Sequence, residues 1–311
     1  MAITELGEAD VRAMAAQVRN WGRWGADEER GALNLITAEC RAAAAALIVE
    51  GESVSCARPL PTRPGPNNPN PVQHYMVAAG DLPEPPLGPA GAMDYFGIAP
   101  HGMATTHIDA LCHIFAGEKM FNGYAKSEVR SDGAQKLSIM AGKDGIVGRG
   151  VLLDIARLRG VDWLEPGTAI GIADLEAAEA AQGVRVGSGD ILLIGTGRDA
   201  REVDQGGAWS HRVEGLAGLH AETLPWLHAR DISMLGCDGV SDVLPSGVAG
   251  MGLPMHEVTI PWMGVHLIDN MQLDRLSAAC RAREQYAFCL VLAPLRLERG
   301  TASPVNPLAI F

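Results

Sequence analysis

His101-Gly102-Met103-Ala104-Thr105-Thr106-His107-Ile108-Asp109-Ala110-Leu111-Cys112-His113 gathers three of the chain's nine histidines into thirteen residues. Residues 105–109 read as an extended run. His107 and Asp109 are two apart, so on a strand both side chains leave from the same face. An imidazole and a carboxylate converging on one point make half of a divalent-metal site, suited to zinc or manganese. His113 lies four residues beyond Asp109 and reaches the same cavity if the strand turns after Ala110. A neutral imidazole there, with an ordinary pKa of about 6.5, can take a proton from water and return it to a leaving group. The plainer alternative is a surface strand whose polar residues share no task. Cys112 is either a thiol nucleophile activated by His113 or a small buried apolar residue.

A half-site needs further ligands. Met255-His256-Glu257-Val258 and Val265-His266-Leu267-Ile268-Asp269-Asn270 flank a β-like stretch, with His256 and Asp269 at its two ends. Both face one cavity only if the chain bends around Pro261 or Gly264, and Glu257 and His266 compete for the same roles. A third polar group, Trp209 to Glu214 with His220 and Glu222, reads as a loop entering a helix that His220 or Glu222 caps. Asp238 and Asp242 follow a strand ending at Cys237, as functional loop residues or as turn formers beside Gly239. Trp21 or Trp24, with Phe115 or Phe121, could wall a pocket for a flat substrate or simply pack in the core. Ser241 and Ser246 sit in no GxSxG elbow, and Gly195-Thr196-Gly197 is a lone GxG outside any phosphate-loop pattern.

The chain has 311 residues, of which 47% are apolar and 20% charged, enough for a substantial core without disulfides. Twenty-five basic against 37 acidic residues leave a net charge of −12, a field that repels nucleic acid and anionic membranes. No apolar run approaches the roughly 18 residues of a membrane span. The start lacks the pattern of a secretion signal, and the six cysteines are scattered, which suits reduced thiols and a cytoplasmic location. Residues 1–50 read as an N-terminal helical arm in which Thr37 caps a helix running to about Glu50, with Gly51 as its stop. Six prolines in 59–71 enforce an extended loop. Strand-like runs at 73–79, 93–99, 150–155, 190–195, 232–237 and 288–292 alternate with helical segments at 173–182, 221–230 and 273–284. That order is a mixed α/β architecture, and no boundary divides 1–311.

Thr106 to His113 resembles the motif H-x-G-T-H-x-D-x-P-x-H of the cyclase family of metal-dependent hydrolases, the group of bacterial kynurenine formamidase and isatin hydrolase. Trp24-Gly25 through Asn34, Arg149 to Asp154, Ser188 to Leu193 and Gly236 to Asp242 are similar to further blocks of its longer members. His256 and Ile268-Asp269-Asn270 resemble its late histidine and acid–Asn pair, so the likeness spans residues 24–294. It implies a swivelling β/β/α-type single domain with a central mixed sheet or barrel and flanking helices, usually as a homo-oligomer (dimer or tetramer). It also implies one divalent ion, Mn2+ or Zn2+, on His107, Asp109, His256 and Asp269, with His113 carrying the proton; Trp24, His101, Phe115 and Phe121 are the candidate pocket residues beside them. The family's first histidine is Met103 here, and His101 replaces it only if the strand bulges; the motif Gly and Pro are Thr105 and Leu111. The implied activity is hydrolysis of a carbon–nitrogen bond in a cyclic amide or an N-formyl or N-acyl small molecule, with a lactone admissible. Two rivals remain: a cyclase or dehydratase using the metal as a Lewis acid, and a small-molecule binding protein without catalysis.

Overall fold

The computed structural model describes residues 3–81, 83 and 91–311, so Met1 and Ala2 of the expected N-terminal arm lie outside the described residues. Four parallel strands, Ile146–Asp154, Ile191–Gly195, Met234–Cys237 and His266–Asp269, form the middle of a nine-stranded sheet. Their unbroken apolar runs reflect helices or loops on both faces; Leu152, Leu153, Ile191 to Ile194, Leu235 and Leu267 are fully buried. Antiparallel strands close each flank. His107–Asp109 and then Ala302–Pro304 lie beyond His266–Asp269, while Ala287–Leu292, Leu308–Ile310 and Ser53–Ser55 follow Ile146–Asp154 on the other side. The architecture is mixed α/β, as the alternation of segments predicts. Among the described residues no helix is long and apolar enough to cross a membrane.

Several elements differ from their sequence-based bounds. Within the N-terminal stretch read as a helical arm lies the helix Glu8–Gln17, which buries Val11 and Ala15. Thr37 does cap a helix, its hydroxyl accepting from Cys40 N, but that helix is Ala38–Ala45 and stops short of Glu50. Glu50 N and Gly51 N donate instead to the carbonyl of Phe311, so a tertiary contact overrides helix propensity there. The segment 221–230 divides into a 3₁₀ turn, Ala221–Thr223, and an α-helix, Leu224–Arg230, because Pro225 lacks an N–H and is tolerated only in a first turn.

The largest correction concerns residues 256–269. His256 lies on the helix Pro254–Val258, which runs into a π-helical turn at Thr259–Met263, and only His266–Asp269 is strand. The bend falls at Gly264, whose φ is +69°; a Cβ there would stand 2.4 Å from the Phe121 ring. The Pro-rich segment is a loop pinned by Asn67, whose amide donates to Trp209 O while its oxygen accepts from His211 N.

Candidate metal centre

Period-two geometry on the short His107–Asp109 strand sends Ile108 into the core and both polar side chains to the other face. The neighbouring strand pairs Asp269 opposite His107, so His107, Asp109 and Asp269 share one side of the sheet. Their ligand atoms lie within 4.8 Å of one another. A second set with the same spread joins Asp109 to His101 and His113. His101 arrives through a glycine turn, with Gly102 at φ +122°, rather than through a strand bulge. Its Nδ1 stands 3.0 Å from Asp109 Oδ1, so this residue, expected beside the substrate, falls in a candidate ligand set.

Each imidazole is oriented by what its far nitrogen meets. His107 Nδ1 is 2.8 Å from the carbonyl of Thr105, which can only accept, so Nδ1 carries the hydrogen and Nε2 faces Asp109 at 3.3 Å. His256 Nδ1 is 2.6 Å from Asp242 Oδ2, leaving its Nε2 3.2 Å from Asp269 Oδ2 and 3.7 Å from Asp109 Oδ2. Asp242 also accepts from Met255 N and His256 N, so one carboxylate both starts the helix and aims the ring. His113 stacks on His101 with ring centroids 3.7 Å apart and planes 15° off parallel.

The loop behind these ligands is held from beneath. Asn270 Nδ2 donates to the carbonyls of Gly102 and Thr105, and Arg198 donates to Asn270 Oδ1 and the Met103 carbonyl. The chain pattern carried no signal for Arg198, an ordinary charged residue opening the helix Arg198–Asp204. Met103 and Ala104 of this loop, with Arg58, Pro59, Pro61 and Pro66, line a cavity of about 420 Å³. Another cavity, of about 490 Å³, lies at the ends of the parallel strands and is lined by Asp154, Trp163, Asp238 and Asp274; neither cavity is lined by any of the six cluster residues His101, His107, Asp109, His113, His256 and Asp269.

Electrostatically the cluster is short of positive charge. Asp109, Asp242 and Asp269 are all at most 3% exposed. Burial would raise Asp109, yet His101 and His107 hold its carboxyl well below the ordinary value. Burial opposes a charge on His107 and His256, but the carboxylates prevail, lifting His107 to about 9 and His256 well above its usual range. His113 goes the other way: burial first, then the neighbouring imidazoles, push it down to about 4, with Asp109 opposing. Both oxygens of Asp109 and Oδ1 of Asp269 are buried without an aligned hydrogen-bond donor. Buried, unpartnered carboxylate oxygens beside imidazole nitrogens whose opposite sides are tied are the donor set that Zn2+ or Mn2+ takes.

The remaining candidates fall outside. Phe121 is 1% exposed and packs on Gly264, so it is a core residue, not a pocket wall. Trp24 packs at the edge of the core under the Arg23 guanidinium, and Trp21 stacks on Trp262. Phe115 is exposed and lines a small crevice of about 80 Å³ with Glu257, Val258 and Trp262. His266 is buried with both nitrogens unpartnered and does not belong to either ligand set. Cys112 is buried, and burial pushes its thiol up to about 12, which removes it as a nucleophile. His220 accepts from Glu222 N as a helix cap, and Asp238 accepts from Thr196, Gly197 and Arg198 N as a structural anchor.

Residues 54–242 match the family model Cyclase. A solved structure described as a novel cyclase superposes with a TM-score of 0.85 at 33% identity, covering 96% of this chain and 99% of its own. An isatin hydrolase bound to the product analogue thioisatinate shares the fold at a TM-score of 0.58 and 20% identity, over 84% of this chain and 92% of its own. Isatin hydrolase A from Ralstonia solanacearum does so at 0.57 and 20%, over 83% and 91%. No curated protein sequence matches. The match over most of the chain, with the close structural likeness, establishes that this protein belongs to the cyclase family.

Proposed function

We propose that the protein is a divalent-metal-dependent hydrolase that opens the carbon–nitrogen bond of a small cyclic amide or of an N-formyl or N-acyl compound. The observation that carries this reading is the pair of buried, unpartnered Asp109 oxygens faced by imidazole nitrogens of His101, His107 and His256. His107, Asp109 and Asp269 would hold the ion, with His256 beside Asp269 completing the set. His101 supplies the imidazole that Met103 lacks. Mn2+ and Zn2+ both suit nitrogen and carboxylate donors.

Bound there, such a cation lowers the pKa of a water toward about 7 and polarises a carbonyl oxygen. The protein's own groups do the rest. His113 is held neutral at pH 7 by burial, and no hydrogen bond fixes either ring nitrogen among the described residues. It accepts the proton of the attacking water as the carbonyl carbon becomes tetrahedral, then protonates the departing nitrogen. Its stack against His101 fixes the ring plane for both transfers. The Asn270–Arg198 support keeps His101 and Thr105, and through Thr105 the His107 ring, in register. The cavity of about 420 Å³ under the Pro-rich loop is of small-molecule size and borders Met103 and Ala104 of the His101 loop, though none of the six cluster residues lines it.

The test combines elemental analysis of the purified protein with a screen of cyclic amides, formamides and lactones in isotopically labelled water. Stoichiometric Mn or Zn and solvent oxygen in a product carboxylate are expected. A turned-over substrate that gains no solvent oxygen would transfer the assignment to a cyclase or dehydratase, and a metal-free protein would overturn it.

A further inference from the structure

Asp199 is 5% exposed and lines the cavity of about 420 Å³ under the Pro-rich loop. Its Oδ1 faces the Arg58 guanidinium, whereas its Oδ2 is buried with no hydrogen-bond donor. A buried carboxylate oxygen left unmet is costly, so this atom marks a place where a donor is missing. The nearby cations are already engaged. Arg58 also reaches Glu202 Oε2 at 2.6 Å, and Arg198 Nε donates to Glu202 Oε1 at 3.0 Å. No residue of the metal cluster lines this cavity, but Arg198 connects the two, since it lines the wall and holds the Met103 carbonyl and Asn270.

Charge around Asp199 is out of balance. Asp199 and Glu202 answer the guanidiniums of Arg58 and Arg198. Asp154, Asp238 and Asp274 are then left over, with no ion pair to any of them among the described residues. Asp274 lines the same cavity as Asp199, and all three line the adjoining cavity at the strand ends. Burial, then repulsion from Asp238, Asp274 and Glu202, pushes the Asp199 carboxyl up to about 7 against the pull of Arg58. Burial and Asp238 likewise push Asp274 up to about 6, with Arg58 opposing. A proton on either carboxyl relieves the same repulsion that a bound cation would relieve.

We infer that this cavity is a binding site for a small organic ammonium ion, which donates to Asp199 Oδ2, offsets the surplus charge of Asp238 and Asp274, and rests its apolar body on Pro59, Pro61 and Met103. An ammonium carries N–H donors, no acceptor and one positive charge, which is what the wall lacks. A bare metal ion fits less well, because neither group of converging His and Asp ligand atoms among the described residues contains Asp199. A carboxylate would find Arg58 Nε, which also lacks an acceptor, but it would add negative charge where negative charge is already in excess. The volume of about 420 Å³ suits a ligand of small-molecule size.

Calorimetric titration of the full chain with benzylammonium, benzamide and benzoate, which share a ring and differ in charge, tests the site. Benzylammonium is expected to bind about tenfold tighter than either of the others, the usual worth of one charge-assisted hydrogen bond. Asp199→Asn keeps the shape of the side chain and should weaken benzylammonium about tenfold or more while circular dichroism stays native. Asp274→Asn, at a half-buried position, should weaken it as well and reads the same site if the first variant does not fold. The bound cation replaces a proton on Asp199, so wild-type affinity should rise from pH 6 to pH 8, where the amine stays protonated, and Asp199→Asn should flatten that rise. Benzoate binding as tightly as benzylammonium, no binding of benzylammonium at millimolar concentration, or undiminished binding in a folded Asp199→Asn would each overturn the assignment. No metal-cluster residue takes part, so the outcome is independent of the proposed hydrolase reading.

Discussion

Asp242 and His256, fourteen residues apart in the chain, meet at 2.6 Å between a fully buried carboxylate and the Nδ1 of a ring whose Nε2 points at Asp269. Metal-ligating histidines are commonly oriented in this way by an acceptor on the far nitrogen, and loss of that partner costs about 10–100-fold in metal affinity. Asp242→Asn keeps the size and one acceptor oxygen but removes the charge. The variant is expected to bind Mn2+ or Zn2+ about 10–100-fold more weakly while its circular dichroism stays native. Metal titration by calorimetry decides, and undiminished affinity would show that Asp242 only starts the helix.

Asp109 and His113 are separable by what each variant loses. Asp109 stands in both sets of candidate ligands, so Asp109→Ala is expected to leave the purified protein without metal. His113 stacks on the His101 ring and is proposed as the proton carrier, so His113→Ala is expected to keep its metal while turnover falls about 10²–10⁴-fold, the usual worth of a general acid–base group. Elemental analysis beside a turnover assay reads both. Full activity in His113→Ala would remove it from the chemistry.

How much of this was legible beforehand depends on the range of the force that sets each feature. The common face of His107 and Asp109 follows from two-residue spacing on a strand, and the central parallel strands announce themselves as apolar runs such as Ile191 to Ile194. His256 was misplaced at the end of a strand because a five-residue helix and one π-helical turn are too short for any periodicity to emerge. What makes that helix is Asp242, a partner remote in sequence. His101 reaches the site by one glycine turn, and Arg198 by hydrogen bonds to Met103 and Asn270; neither contact has a local signature. Thr37 was recognisable as a cap, whereas the early end of its helix depends on Phe311 at the other terminus.

Metal uptake should release protons. Without a cation, burial opposes charge on His107 and His256, but Asp109, Asp269 and Asp242 raise both above their ordinary value, His107 to about 9. At pH 7 the apo cluster therefore holds imidazole protons that a ligated metal must displace. Calorimetric titration in buffers of different ionisation enthalpy should show one or more protons released per ion at pH 7. Apparent affinity should also fall as pH is lowered from 8 to 6. An affinity independent of pH over that range would contradict ligation by these imidazoles.

His266 gives the apo protein an acid-labile element of opposite sign. It is 1% exposed, neither ring nitrogen has a partner, and burial lowers it to about 4, with Asp109 opposing and Arg30 adding to the drop. The unfolded chain takes up this proton near pH 6.5 and the folded chain only near 4, so between those values the unfolded state binds more protons. The stability that neutral His266 allows is thus complete above about pH 6.5 and is lost progressively toward pH 4, by about 3 kcal/mol at the limit. Replacing the ring by an apolar side chain of similar volume, as in His266→Leu, abolishes that proton uptake and leaves no buried polar atom unpaired. Urea unfolding of the chelator-treated protein should show the wild type losing stability more steeply than His266→Leu between pH 6.5 and 4.5. Parallel pH profiles for the two proteins would mean that the ring protonates inside the fold as easily as outside it.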